Sequence, residues 1–240
     1  LDQRVFNKKE GGFFLDIGAA DGVCFSNTYF FETFRKWDGI CIEPNPVVFE
    51  QLKKNRRCAK VNAAIAEKAG RARYLKVEGY AEMLSGLVDY YEKDHLARID
   101  NEIRQYGGSK TEIEVETLNI NDLLRERNIH HIDYCNIDVE GAEYEILKTI
   151  DFDDLEIDVL TVENNYGSPD MRDFMASRNY RLIAQLGCDD VFQRIPVHKQ
   201  TGIPDPAAVG SNNDQQTTCR NTGPAIPGIG DAAVKTSHEK

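Results

Sequence analysis

The chain has 240 residues and a formal charge of −11, with 29 Lys and Arg against 40 Asp and Glu. That length suits one α/β domain with a sizeable core, and the acidic balance speaks against a general nucleic-acid binder, which needs a basic footprint. No apolar run reaches membrane-spanning length and the opening residues do not read as a signal peptide, while a start at Leu1 leads us to expect further residues upstream. The six cysteines are scattered without a CxxC or Cys/His ligand spacing, so a structural zinc site has no support. Cys41 and Cys135 sit in apolar runs and read as reduced, buried thiols, in keeping with a cytoplasmic compartment.

In chain order, "FLDIGAADG" (residues 14–22) is a short apolar strand running into an acid and a turn of small residues. "TYFFETFRKW" has helical spacing, and residues 39–42 form a second strand that ends at Glu43 and Pro44. "PVVFEQLKKNRR" is helical, with Val48 and Leu52 four apart and basic residues in its last turn. "CAKVNAAIAE" reads as a third strand ending at Asn62. Strand, helix, strand, helix, strand is the pattern of a parallel sheet with right-handed crossovers.

"RARYLKV" and "TEIEVETL" alternate as exposed edge strands do. Residues 78–110 between them form an insertion, helical in "VDYYEKDHLARIDNEI", that serves as a connecting helix or covers a site. "NINDLLRERNI" is an amphipathic helix capped by Asn119 or Asn121. Strand "IDYCNID", helix "AEYEILKTI" and strand "IDVLTVENN" follow, and "YRLIAQLGCDDVFQRI" reads as a β-hairpin. A domain over residues 1–196 is therefore expected, with residues 197–240, rich in Gly, Pro, Asn and Thr, as a disordered tail.

Open parallel sheets bind ligands at the carboxyl ends of their strands. Here those ends carry Asp16, Glu43, Asn62, Asp138 with Glu140, and Glu163 with Asn164. Gly18 and Gly22 allow the backbone to approach a ligand, and Glu43 suits the vicinal hydroxyls of a ribose. A dinucleotide fingerprint wants a glycine where Ala20 stands, and Asp21 repels a diphosphate. A cationic nucleoside without phosphate, S-adenosylmethionine, fits this acidic loop better.

Together, "GGFFLDIGAADGVCFSNTYFFE", "WDGICIEPNP", "NAAIAE" and "YCNIDVEGAEYEILKTIDF" resemble the FkbM-type methyltransferases, over roughly residues 11–195. The resemblance implies a Rossmann-like class I fold: a mainly parallel twisted sheet ending in an antiparallel hairpin. It also implies S-adenosylmethionine as cofactor and O-methylation of a small-molecule or glycan hydroxyl. By this similarity Asp16, Gly18, Ala19, Asp21 and Gly22 surround the methionine part and Glu43, beside Pro44, holds the ribose. Asn62 and Ala63 then lie against the adenine, and Asn27 touches the cofactor. The helix that often precedes such domains looks cut short.

An alcohol needs a base or a metal to lose its proton. Asp138 and Glu163, with Glu140, are the candidate catalytic acids. In the alternative, Asp138, Glu163 and Asn164 offer oxygen ligands for Mg²⁺ or another divalent cation, resembling the catechol-type O-methyltransferases. Glu143 reads as an acid at a helix start, His130 and His131 as solvent-facing, and Tyr90, Tyr91 and Trp37 as packing residues. The competing functions are an NAD-dependent oxidoreductase and a non-catalytic module that keeps the fold.

Overall fold

The computed structural model describes residues 1–91, 93–165 and 167–196; the expected tail lies outside these. The chain forms β1 (Phe13–Ile17), α1 (Tyr29–Arg35), β2 (Asp38–Ile42), α2 (Pro46–Asn55), β3 (Ala59–Val61), β4 (Ala64–Ile65), β5 (Gly70–Gly79) and β6 (Gly86–Leu87). It continues with α3 (Lys93–Tyr106), β7 (Gly108–Leu118), α4 (Ile120–Glu126), β8 (His131–Ile137), α5 (Glu143–Thr149) and β9 (Glu156–Glu163). The last elements are α6 (Pro169–Ser177), β10 (Tyr180–Leu186) and β11 (Asp189–Arg194).

Seven strands make one sheet in the order β10-β11-β9-β8-β1-β2-β3. Five run parallel, and β11 pairs antiparallel to both β9 and β10. β1, β2, β8 and β9 are buried on both faces, as crossover helices require, while the outer strand β3 is not. One face, carrying Leu15, Ile17, Cys135, Ile137, Leu160 and Val162, packs under α4, α5 and α6. The other, carrying Phe14, Cys41, Tyr134 and Val159, packs under Phe31 of α1 and Leu52 of α2. Phe6 from the N-terminal turns stands edge-on to Phe31 and Trp37 at 5.2 and 5.0 Å. Trp37 fills the junction of α1 and β2, its indole N–H donating to the Lys9 carbonyl.

The structure departs from the sequence reading in three places. "CAKVNAAIAE" is not one strand: β3 ends at Val61, and β4 belongs to a second sheet of order β4-β7-β5-β6. The run breaks because Ala64 pairs with Thr117, a partner no local pattern reveals. "RARYLKV" and "TEIEVETL" are largely exposed, as read, but they pair with each other from Gly70↔Thr117 to Gly79↔Gly108, and each has a second neighbour at two residues only, β6 beside Tyr74 and Leu75 and β4 beside Thr117 and Leu118. Helix α6 was not anticipated, although Ser168 followed by Pro169 is a helix-start signal. The insertion is helical over α3, and Asn119 rather than Asn121 caps α4, accepting from the N–H groups of Asn121 and Asp122.

Candidate active site

Strand register builds the site. Ile17 pairs with Ile42 and Ile137, and Ile137 pairs with Val162, so these four form a level row. One residue further along, Gly18, Glu43, Asp138 and Glu163 emerge together at the carboxyl edge of the sheet. One residue back, Asp16 pairs with Asn136, and their side chains share the face of Phe14 and Tyr134. A cavity of about 370 Å³ opens over this edge, within the roughly 300–1,000 Å³ of small-molecule sites. Six carboxylates line it (Asp16, Asp21, Glu43, Glu82, Asp138 and Glu140), and among the described residues no Lys or Arg does.

Asp16 is buried and held from several sides. Thr28 Oγ1 donates to its Oδ2 at 2.5 Å and Asn136 Nδ2 to its Oδ1 at 3.0 Å, with Arg56 Nη1 3.8 Å away. Burial raises its carboxyl above the usual range, against the pull of Thr28, Arg56 and Asn136. Glu43 braces two loops: Oε2 accepts the Ala20 N–H at 3.0 Å and Oε1 the Asn45 N–H at 2.7 Å. Burial pushes Glu43 up to about 7, against those two hydrogen bonds. Each oxygen keeps a lone pair beyond the one its backbone donor uses.

Gly18 lines the cavity, and both glycines are also demanded by the packing of the fold. A Cβ on Gly18, at φ +85°, would stand 1.7 Å from the Asp138 carbonyl oxygen, so glycine is needed for strand ends to meet. A Cβ on Gly22 would strike Leu52 and Arg56 at 2.5 Å, and Gly22 does not line the cavity. Ala19, Asp21 and Pro44 do line it. Asp21 is partly committed, its Oδ1 accepting from the N–H groups of Val23 and Cys24.

Other expected contacts lie elsewhere. Asn27 does not face the cavity; its amide donates to Asn136 Oδ1 at 3.0 Å and so orients the Asn136 bond to Asp16. Asn62 also stands outside, donating to the carbonyls of Glu43 and Pro44. Ala63 lines a smaller apolar recess of about 20 Å³ that shares Gly18, Pro44, Tyr74 and Val139 with the main cavity. Asn164 does not line the cavity; its Nδ2 donates to Asp190 at 2.8 Å and its Oδ1 accepts the Ser168 N–H.

Asp138, Glu140, Glu143 and Glu163 form an acid cluster where β8, β9 and α5 meet. Glu143 folds back over the preceding turn, accepting the N–H groups of Val139 and Gly141, the local role expected of it. It nevertheless brings a carboxylate oxygen within 4.8 Å of oxygens of Asp138 and Glu163. Burial first, then the crowding of like charges, raises Asp138, Glu140 and Glu163; burial raises Glu143 against its backbone bonds. Glu140 sits at φ +60° before Gly141, which turns its side chain toward α3 of the insertion. His95 Nε2 of that helix lies 3.9 Å from Glu140 Oε2, and the Tyr91 ring stacks on the His95 ring at 4.7 Å. His130 and His131 are exposed, the latter 3.1 Å from Asp158.

Sequence reasoning missed Asn136, although a polar residue inside the apolar run "YCNI" was a usable signal. It also missed Tyr74, Tyr80, Glu82, Met83 and Ser85, which the second sheet and the start of the insertion bring to the cavity wall. Only tertiary pairing puts them there.

A parallel sheet in this strand order, closed by one antiparallel hairpin and bearing an acidic cavity at its carboxyl edge, is a Rossmann-like fold of the class I methyltransferase kind. The sequence matches the family model described as Methyltransferase FkbM domain over residues 16–182; the chain belongs to that family of methyltransferases. No curated protein matches it. Among solved structures, methyltransferase FkbM from Methylobacillus flagellatus KT is similar with a TM-score of 0.45 and 12% identity, over 76% of this chain and 43% of that one. The chain thus spans less than half the length of that protein.

Proposed function

We propose that the protein transfers a methyl group from S-adenosylmethionine to a hydroxyl oxygen of a sugar, glycan or related small molecule. The observation that carries this reading is the cavity lining: six carboxylates and, among the described residues, no cationic side chain. Such a lining favours a ligand bearing sulfonium and ammonium charges and disfavours a diphosphate. The oxidoreductase alternative fits poorly, since ten residues separate Gly18 from Tyr29, the first residue of α1, leaving no helix N-terminus directly after the loop for a pyrophosphate. A non-catalytic module has no observation in its favour.

When bound, the cofactor supplies a methyl group activated by a positive sulfur. Everything else falls to the chain. Glu43, held by Ala20 and Asn45, accepts hydroxyls of the ribose with its remaining lone pairs. Asp16 and Asn136, fixed by Thr28, Asn27 and Arg56, shape the floor beside Gly18 and Ala19. The acceptor enters from the side of Tyr80, Met83 and Ser85, so residues 78–110 act as its binding segment. Its hydroxyl proton passes to one of Asp138, Glu140 and Glu163, the acids at the ends of β8 and β9. The described cysteines are all free thiols, which suits the cytoplasm, and among the described residues no helix is long and apolar enough to cross a membrane.

The test is an acceptor screen with methyl-labelled cofactor, preceded by mass spectrometry of ligands carried through purification. Label is expected on neutral or amino sugars and not on sugar phosphates, and Asp138→Asn should abolish turnover while leaving cofactor affinity within about threefold. Full activity in Asp138→Asn removes Asp138 from the mechanism, whereas no transfer of label to a hydroxyl, or a preference for phosphorylated acceptors, contradicts the reading.

A further inference from the structure

We propose that Asp138, Glu143 and Glu163 bind one hard divalent cation through carboxylate oxygens at the acceptor side of the cavity. Its role in the reaction, though not its existence, rests on the methyl-transfer reading. One oxygen from each carboxylate lies within 4.8 Å of the other two. Oxygens no farther apart than this can share one ion, since opposite ligands each about 2.0–2.4 Å from a hard divalent cation are about 4–5 Å apart.

The three groups come from separate elements and are fixed by backbone, not by chance side-chain placement. Glu163 is the last residue of β9, and Asp138 follows β8 one step beyond the Ile137–Val162 pair. Glu143 opens α5 and is clamped by two backbone N–H groups, Val139 donating to Oε1 and Gly141 to both oxygens, and Oε2, with that single shared donor, keeps a lone pair for a further contact.

A second observation points to a ligand. Glu163 is only 8% exposed, and its Oε2 is buried without a hydrogen-bond partner. An orphaned buried carboxylate oxygen is rare and marks a missing partner. The charges nearby are otherwise engaged: Arg98 pairs with Glu102 at 2.9 Å, and His95 faces Glu140. Among the described residues, Asp138, Glu143 and Glu163 form no ion pair. Asp138 borders the cavity, which gives an ion a route in. With Asp138 and Glu163 on the cation, Glu140 stays at the cavity wall as the group able to take the acceptor's proton.

Mn²⁺ titrated into the full chain after EDTA treatment, followed by calorimetry and by loss of the free-Mn²⁺ paramagnetic signal, tests this directly. One Mn²⁺ per chain is expected, displaced by Ca²⁺, and bound at least about tenfold more weakly by Glu163→Gln, which keeps shape and removes charge. Should Glu163→Gln not fold, Asp138→Asn is measured instead, with the same loss expected. No binding by the folded wild-type chain up to about 10 mM Mn²⁺, or binding unchanged in the variant, overturns the site. S-adenosylhomocysteine is titrated separately: its binding without Mn²⁺ binding removes the cation alone, and the converse removes the methyl-transfer reading alone.

Discussion

Glu43 shows how one side chain can hold two loops and still await a ligand. Its carboxyl, ordinarily near 4.5, is pushed to about 7 by burial, so the cofactor-free fold favours the protonated form. The stability this gives is fully present below pH 4.5 and is lost as pH rises through about 7. Cofactor binding has the opposite sign, because the ionised form accepts the ribose hydroxyls. Between about pH 6 and 8, wild-type affinity for S-adenosylhomocysteine should therefore rise while thermal stability of the free protein falls relative to Glu43→Gln. Parallel pH profiles for the two proteins would remove Glu43 from the ribose site. Gly18 makes a different demand, set by the Asp138 carbonyl 1.7 Å from where a Cβ would stand. Gly18→Ala should cost at least about 2–4 kcal/mol in urea unfolding, and a variant of wild-type stability would show that the strand ends do not meet as described.

Between elements, Arg56 at the end of α2 ties the cofactor loop to the helices. It is buried against Glu32 of α1, donates to the Gly22 carbonyl, Ser26 and Thr28, and approaches Asp16. Removing one member of such a buried ionic group leaves the others uncompensated. Arg56→Met should lower stability by about 3–5 kcal/mol, and adding Glu32→Gln should restore part of it; a double variant as unstable as the sum of the single ones would argue against coupling. The elements readable from sequence were those whose signals are local. Phe13–Ile17, His131–Ile137 and Glu156–Glu163 are short apolar runs bounded by turns, and the hairpin alternates around Gly187 and Cys188. What stayed hidden depends on partners far along the chain. Nothing near residue 64 announces Thr117, and nothing near Asn164 announces that Asp190 will occupy its amide.

At the scale of the molecule, the sheet acts as a ruler. The expectation that strand ends would gather polar groups rested on topology, and the register turns it into one edge where Gly18, Glu43, Asp138 and Glu163 stand in line. Chain order alone could not say which of these would face open space. Asn27, Asn62 and Asn164, all polar and all near the edge, turn out to fasten backbone and neighbouring side chains. Glu143, read as a helix-start acid, keeps that role and also joins the acid cluster. The second sheet and the insertion supply the remaining wall, including Tyr74, Tyr80 and Met83.

The account rests on an acidic rim that cradles a cationic nucleoside. Calorimetric titration of the purified full chain with S-adenosylhomocysteine and with NADH tests it most directly. One S-adenosylhomocysteine per chain should bind and NADH should not, with Glu43→Ala weakening the former by about 1.5–3 kcal/mol for a lost charge-assisted hydrogen bond. Binding of NADH instead, or S-adenosylhomocysteine affinity untouched by Glu43→Ala, would contradict it.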